Sequence, residues 1–128
     1  MQESVYELPE PFAEAVRLFN AGEYFECHEV VEELWREEST SLRLFYQGIL
    51  QVAVGCYHLT VRRNRHGALS KLRAGVEKLH QFPAVMGLIA LEDLRQQVRD
   101  LLIRIEATDD LTSLADTKEP LLTIRYLA

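Results

Sequence analysis

The chain has 128 residues, 48% of them hydrophobic and 27% charged, and a formal net charge of −6. That length suits one domain with a core of its own, needing neither a disulfide framework nor a structural metal. The balance excludes a disordered chain and argues against nucleic acid as a partner, and the longest apolar run, around Ile49 to Tyr57, is broken by Gln51 and too short to cross a bilayer.

Met1-Gln2-Glu3-Ser4 lacks the positive start and apolar core of a secretion signal, so the chain reads as cytoplasmic. Pro9-Glu10-Pro11 opens a first helix, where a missing N–H costs nothing, and Phe12, Val16 and Phe19 mark its apolar stripe to Asn20. Gly22 stops it, and Glu23-Tyr24 begins a second helix that runs to about Glu37. At 3.6 residues per turn, Tyr24, Cys27, Val31, Leu34 and Trp35 share the buried side. His28 and Glu32 fall on its border, while Glu26, Glu29 and Glu33 lie beyond it.

Ser39-Thr40-Ser41 offers capping hydroxyls for a third helix from Leu42 to about Val61, apolar nearly all round and therefore central. Arg43, Gln47 and Gln51 recur every fourth residue and His58 follows, a polar stripe on a core helix. Gly48 and Gly55 imply a close crossing with another helix. Arg63-Asn64-Arg65-His66-Gly67 reads as a short turn, and a fourth helix with Ala68, Leu69, Leu72, Val76 and Leu79 runs to about Gln81, before Pro83. Pro83 to Ala90 reads as an extended connector whose Val85, Leu88 and Ile89 plug the core. A fifth helix carries Leu91, Leu94, Val98, Leu101, Leu102 and Ile105. The tail from residue 107 to 128 is irregular: Leu121-Leu122-Thr123-Ile124 docks as an arm or pairs with another subunit.

The expected fold is thus an all-α, single-domain bundle of about five helices, with a core from about residue 10 to 106. It is built from helical hairpins, since residues 12 to 36 and 45 to 82 each read as helix, tight turn, helix, the first turn looking like that of a tetratricopeptide hairpin. Charge is segregated along it: −9 over residues 1 to 38, +6 over 39 to 104 and −3 over 105 to 128, which suggests attraction between the first helical pair and the second. The basic run Arg62-Arg63-Asn64-Arg65-His66 with Lys71 and Arg73 lacks interleaved aromatics, which disfavours a phosphate-backbone partner. Cys27 and Cys56, each inside an apolar helical pattern, read as small buried hydrophobes.

The chemistry-bearing stretch is His28-Glu29-x-x-Glu32-x-x-Trp35, which sets an imidazole and a carboxylate one turn apart. Two readings stand. In one, His28 donates to Glu32 or Gln51, and a polar clasp fixes the second helix against the third. In the other, His28, Glu32 and a third ligand, His58 or His66, hold a divalent metal, as in a zinc helix whose second histidine is replaced by glutamate, with Glu29 as the base of a hydrolase. The residues expected to line a site between these helices are His28, Glu32, Trp35, Arg43, Gln47, Gln51, His58 and Asn64.

Phe19-Asn20-x-Gly22-x-Tyr24-x-x-x-His28-Glu29-Val30-x-Glu32-x-x-Trp35, then Phe45-x-Gln47-Gly48-Ile49-x-Gln51-x-Ala53, then Asn64-x-x-Gly67-Ala68, resembles the family catalogued as domain of unknown function 309. The resemblance covers residues 12 to about 106. It implies a small all-helical bacterial or plastid-type protein with no established activity, whose signature polar positions are His28, Glu32, Trp35, Gln47, Gln51 and Asn64, with Gly67 shaping the turn. The expected role is a ligand-binding or protein-interaction module without a cofactor. The alternative is the metal-dependent hydrolase. A protein partner or small ligand is expected, membrane association is not, and the apolar tail and glycine-lined helix offer surfaces for a homodimer.

Overall fold

A computed structural model describes residues 7–127, so Met1–Ser4, the basis of the cytoplasmic reading, and Ala128 lie outside the described residues. The all-α expectation holds. The elements in chain order are α1 (Glu10–Asn20), α2 (Tyr24–Glu37), α3 (Leu42–Thr60), α4 (Arg65–Leu79), β1 (Val85–Met86), β2 (Ile89–Ala90), α5 (Leu91–Ala107) and α6 (Thr112–Ala115). None of these helices is long and apolar enough to cross a membrane.

The first two hairpins form as the periodicity predicts. Gly22 takes φ +79° after α1, a left-handed conformation that glycine enters without a Cβ clash. Helix α3 runs through the centre with Phe45, Ile49, Val52, Ala53, Cys56 and Leu59 buried, and packs along both α2 and α4. The expected close crossing is the one between α3 and α4: a Cβ on Gly75 would stand 2.8 Å from the Gly48 carbonyl oxygen, and one on Gly55 would stand 2.7 Å from Leu72 Cγ. At Gly75 the obstacle is backbone, which cannot yield to an added methyl group, and at Gly55 it is the branch point of the buried Leu72 side chain.

Of the expected capping hydroxyls Thr40 supplies one, accepting from the Leu42 N–H at 3.2 Å, while Ser41 stands at the N-cap of α3 without a side-chain bond. Other local expectations need correction. Helix α4 begins at Arg65, two residues inside the expected turn, because Asn64 caps it: its Oδ1 accepts from Gly67 N–H at 3.0 Å. The connector is a tight antiparallel hairpin, with Met86 opposite Ile89 and Gly87 at φ +58° in the turn. Opposed residues share a face, so Met86 and Ile89 enter the core together, while Val85 is half-buried and Leu88 is exposed at the tip.

The tail, left open by the sequence, docks as an arm. Leu122 and Ile124 are buried, and two side-chain amides stand in for a neighbouring strand. Asn20 accepts from Ile124 N–H at 2.8 Å and donates to its carbonyl at 2.9 Å, and Gln97 does the same for Thr123, at 2.9 Å each way. Beyond them Ala90 N–H donates to Arg125 O, and Tyr126 bridges to Ile89. Arg95 is a second device. It lies buried in the apolar stripe of α5, donating to the carbonyls of Leu79 and Phe82 at the end of α4 and to Glu92.

The expected attraction between acidic and basic halves is not realised as ion pairs. Among the described residues, the acids of α1 and α2 pair only within those helices, while Arg63 meets Asp116 and Arg73 meets Glu106.

Candidate functional site

Positions 47, 50, 51, 54 and 58 lie along one face of α3, and that face is not fully covered. Helix α2 stands on one side of it and α4 on the other. The result is a cleft floored by Gln47, Leu50, Gln51 and Val54, walled by His28, Glu32 and Trp35 of α2 and by Lys71 of α4, with a volume of about 370 Å³. His28 and Val54 also border an adjoining hollow of about 210 Å³, lined by Tyr24, Phe25, Tyr57, His58 and Arg62. Phe25 forms its outer lip, 5.8 Å from the His28 ring and 5.7 Å from Tyr57.

Within the cleft the polar groups are under-used. His28 Nε2 lies 3.5 Å from Glu32 Oε1, and Glu32 is also held by Arg36 at 3.2 Å. Buried His28 Nδ1, Gln51 Oε1 and His58 Nδ1 have no hydrogen-bond partner. Among the described residues no hydrogen bond joins His28 or Glu32 to Gln47 or Gln51, so the clasp expected between these helices is not made by those groups. A buried polar atom without a partner costs about 1–3 kcal/mol. The three belong to side chains that line the two adjoining hollows.

The helices are instead tied at the mouth of their turn. The Arg43 guanidinium lies 4.2 Å over the Trp35 ring, and its Nε donates to the Trp35 carbonyl at 3.1 Å. Arg43 is thus a partner of Trp35 and does not line the cleft. Asn64 caps α4, and Gly67 is glycine because a Cβ would stand 2.9 Å from both Asn64 Nδ2 and His58 Cγ. His58 is held below its usual pKa by burial first, then by the charges of Arg62 and Lys71.

For the metal reading, the described residues contain no group of three or more His, Cys, Asp or Glu side chains placed to hold an ion. Glu29 is exposed and lines neither hollow. The cysteines sit under the cleft in the core, fully buried; burial pushes the Cys27 thiol up to about 12 and Cys56 higher still. A larger hollow of about 460 Å³ lies elsewhere, between Leu8–Ala13 and the Gly87–Ile89 turn. Its titratable groups are Glu7, Glu10 and Tyr126, and none of the unpartnered buried polar atoms belongs to a residue that lines it.

Sequence reasoning missed Val54, Leu50 and the role of Lys71, because the cleft needs α2 and α4 on either side of one α3 face, an arrangement that one-helix periodicity does not report. Arg95 carried a signal: it falls inside the apolar stripe defined by Leu91, Leu94 and Val98.

The stretch from α1 into α4 has recorded relatives. Over 47 residues the chain is 45% identical to the Uncharacterized protein YpuF of Bacillus subtilis (strain 168), a span covering 36% of this chain and 26% of that protein. The chain thus matches about a quarter of that curated relative's length. The match to the family model ends at residue 70, short of the 106 read from the motifs, and includes every α2 and α3 residue of the cleft. Residues 12–70 match the model of the family described as Domain of unknown function (DUF309).

Proposed function

We propose that the protein is a non-catalytic binding module that takes a small polar molecule in the cleft between α2, α3 and α4. The observation that carries this reading is the pair of adjoining hollows whose lining includes His28, Gln51 and His58, each with a buried polar atom that has no hydrogen-bond partner. Their combined volume falls in the range of small-molecule sites, where apolar walls supply contact and a few polar atoms supply orientation. The metal-dependent hydrolase reading has less support, because Glu29 is exposed and lines neither hollow, and among the described residues no third ligand is grouped with His28 and Glu32.

A panel of small amides, alcohols, amines and carboxylates, screened by amide NMR shifts, tests it. Binders are expected to perturb signals of residues 28, 47, 51 and 54. Gln51→Met should weaken them about fivefold or more while leaving the melting temperature unchanged or raised, since it removes an unpartnered carbonyl. A panel without a single cleft binder overturns the reading.

A further inference from the structure

Helix α3 is apolar on two faces. On one, Phe45, Ile49, Val52, Cys56 and Leu59 fill the core. On the other, Leu50, Val54, Tyr57 and the C-cap Val61 recur at i, i+4, i+7 and i+11, the spacing of a single helical stripe. The described chain leaves that second stripe partly open: Leu50, Val54 and Tyr57 are half-buried, and Val61 is 59% exposed. Three hollows run along it and share residues with one another. The outermost, about 420 Å³, lies between Gly22 and Val61 and shares Phe25 and Tyr57 with the hollow beside His58, which in turn shares His28 and Val54 with the cleft. From Val61 to Gln47 they follow about 21 Å of helix at about 1.5 Å per residue. Phe25 of α2, 48% exposed, stands over this groove with its ring 5.7 Å from Tyr57. A continuous apolar strip rimmed by polar residues marks a surface that another chain covers.

The two rims differ in charge. Along α2, Glu23 and Glu26 border the outermost hollow and Glu29 is exposed one turn further on; among the described residues none of the three forms an ion pair. Across the groove stand Arg62, in the turn that leads into α4, and Lys71 of α4, both exposed and likewise without an ion pair among the described residues. An apolar floor between an acidic and a basic rim suits a helix with apolar side chains on its underside, cations along one flank and anions along the other. A second copy of this chain would present the same groove, and two grooves face to face leave a void where an interface needs contact.

We infer that this groove seats an amphipathic helix of a partner protein, about four turns long, whose apolar residues follow the same i, i+4, i+7, i+11 spacing. Lysines or arginines on one flank meet Glu23, Glu26 and Glu29, and acids on the other meet Arg62 and Lys71. Phe25, Tyr57 and Val61, which anchor the helix, lie outside the cleft assigned to a small molecule, so either occupant can be absent without the other.

The test uses lactam-bridged helical peptides of about 15 residues with leucines at that spacing. The split peptide carries lysines on one flank and glutamates on the other. Three controls carry lysines on both flanks, glutamates on both, or serines in place of the leucines. The split peptide is expected to bind about tenfold or more tighter than each control in fluorescence anisotropy and to shift the amides of residues 50, 54, 57 and 61. Val61→Asp, at an exposed position, should keep the melting temperature and weaken the split peptide about tenfold, whereas Ile103→Asp, at an exposed apolar residue of α5, should leave its affinity unchanged. A split peptide that shifts none of these amides, a control that binds as tightly, or equal losses in the two variants overturns the proposal. So does protein that sediments as a dimer and becomes monomeric with Val61→Asp, which would give the groove to a second copy. The small-molecule panel, followed at residues 28, 47 and 51, decides the cleft separately.

Discussion

Tyr46 lies 1% exposed between Phe12 and Phe45, and its hydroxyl has no partner. Burial first and the nearby Glu38 charge second push its pKa up to about 12, so the hydroxyl stays protonated and its donor stays unused. Tyr46→Phe keeps the ring contacts and deletes the orphan group, and is expected to raise stability by about 1 kcal/mol in chemical denaturation. A loss of stability would mean that the hydroxyl is satisfied in solution. His58 gives the pH dependence a sign. Its folded pKa is below the usual 6.5, so between the folded value and 6.5 the unfolded chain binds more protons than the native one. The contribution is therefore complete above about 6.5 and lost as pH falls through the folded value. Melting temperatures taken at about pH 7.5 and about pH 5.5 should fall more in wild type than in His58→Gln. Equal falls would detach His58 from the acid limb.

The arm formed by residues 121–126 is the element least expected from local sequence. Its hydrogen bonds go to Asn20 and Gln97, side chains of helices far away along the chain, and no turn signal or periodicity announces such a partner. Asn20→Ala combined with Gln97→Ala should strip protection from the Thr123 and Ile124 amides in hydrogen exchange while α3 amides stay protected. Unchanged exchange at those two amides would show that burial of Leu122 and Ile124 alone holds the arm. Helices α1 to α5 were readable because each carries a stripe at helical spacing between clear stops: Pro11 near the start of α1, Gly22 after it, Pro83 after α4. The hairpin of β1 and β2 was not, since a two-residue strand has too little alternation to fix which residue points inward, and Leu88 was assigned to a core place that Met86 holds. At the cleft, His28 and Glu32 stood out as border positions on α2 and Gln47, Gln51 and His58 as a polar stripe on α3; His28, Glu32, Trp35, Gln47 and Gln51 line its walls, and His58 lines the adjoining hollow. What spacing could not convey was that His28 Nδ1, Gln51 Oε1 and His58 Nδ1 are buried without bonding to one another.

Across the whole molecule the buried side chains form one continuous cluster from Phe12 to Ile124, with Cys27 and Cys56 fully buried inside it. Both thiols are raised well above the ordinary cysteine range by burial, so neither ionises at neutral pH. Reaction with a thiol reagent in native buffer is expected to track global opening, both cysteines slowing alike and accelerating with urea along the slope of the equilibrium transition. One cysteine reacting fast without urea would reveal a local opening of α2 or α3. The Asn20–Ile124 pair also joins positions 104 residues apart. During synthesis at about 5–20 residues per second, the first hairpin must wait roughly 5–20 s for its last strand-like partner to be made. Through that interval the Asn20 amide and the core surface later covered by Leu122 and Ile124 stand open on a nascent chain. The α1–α2 hairpin is thus the part of this fold most in need of shelter on the ribosome, although it is the first part to be made.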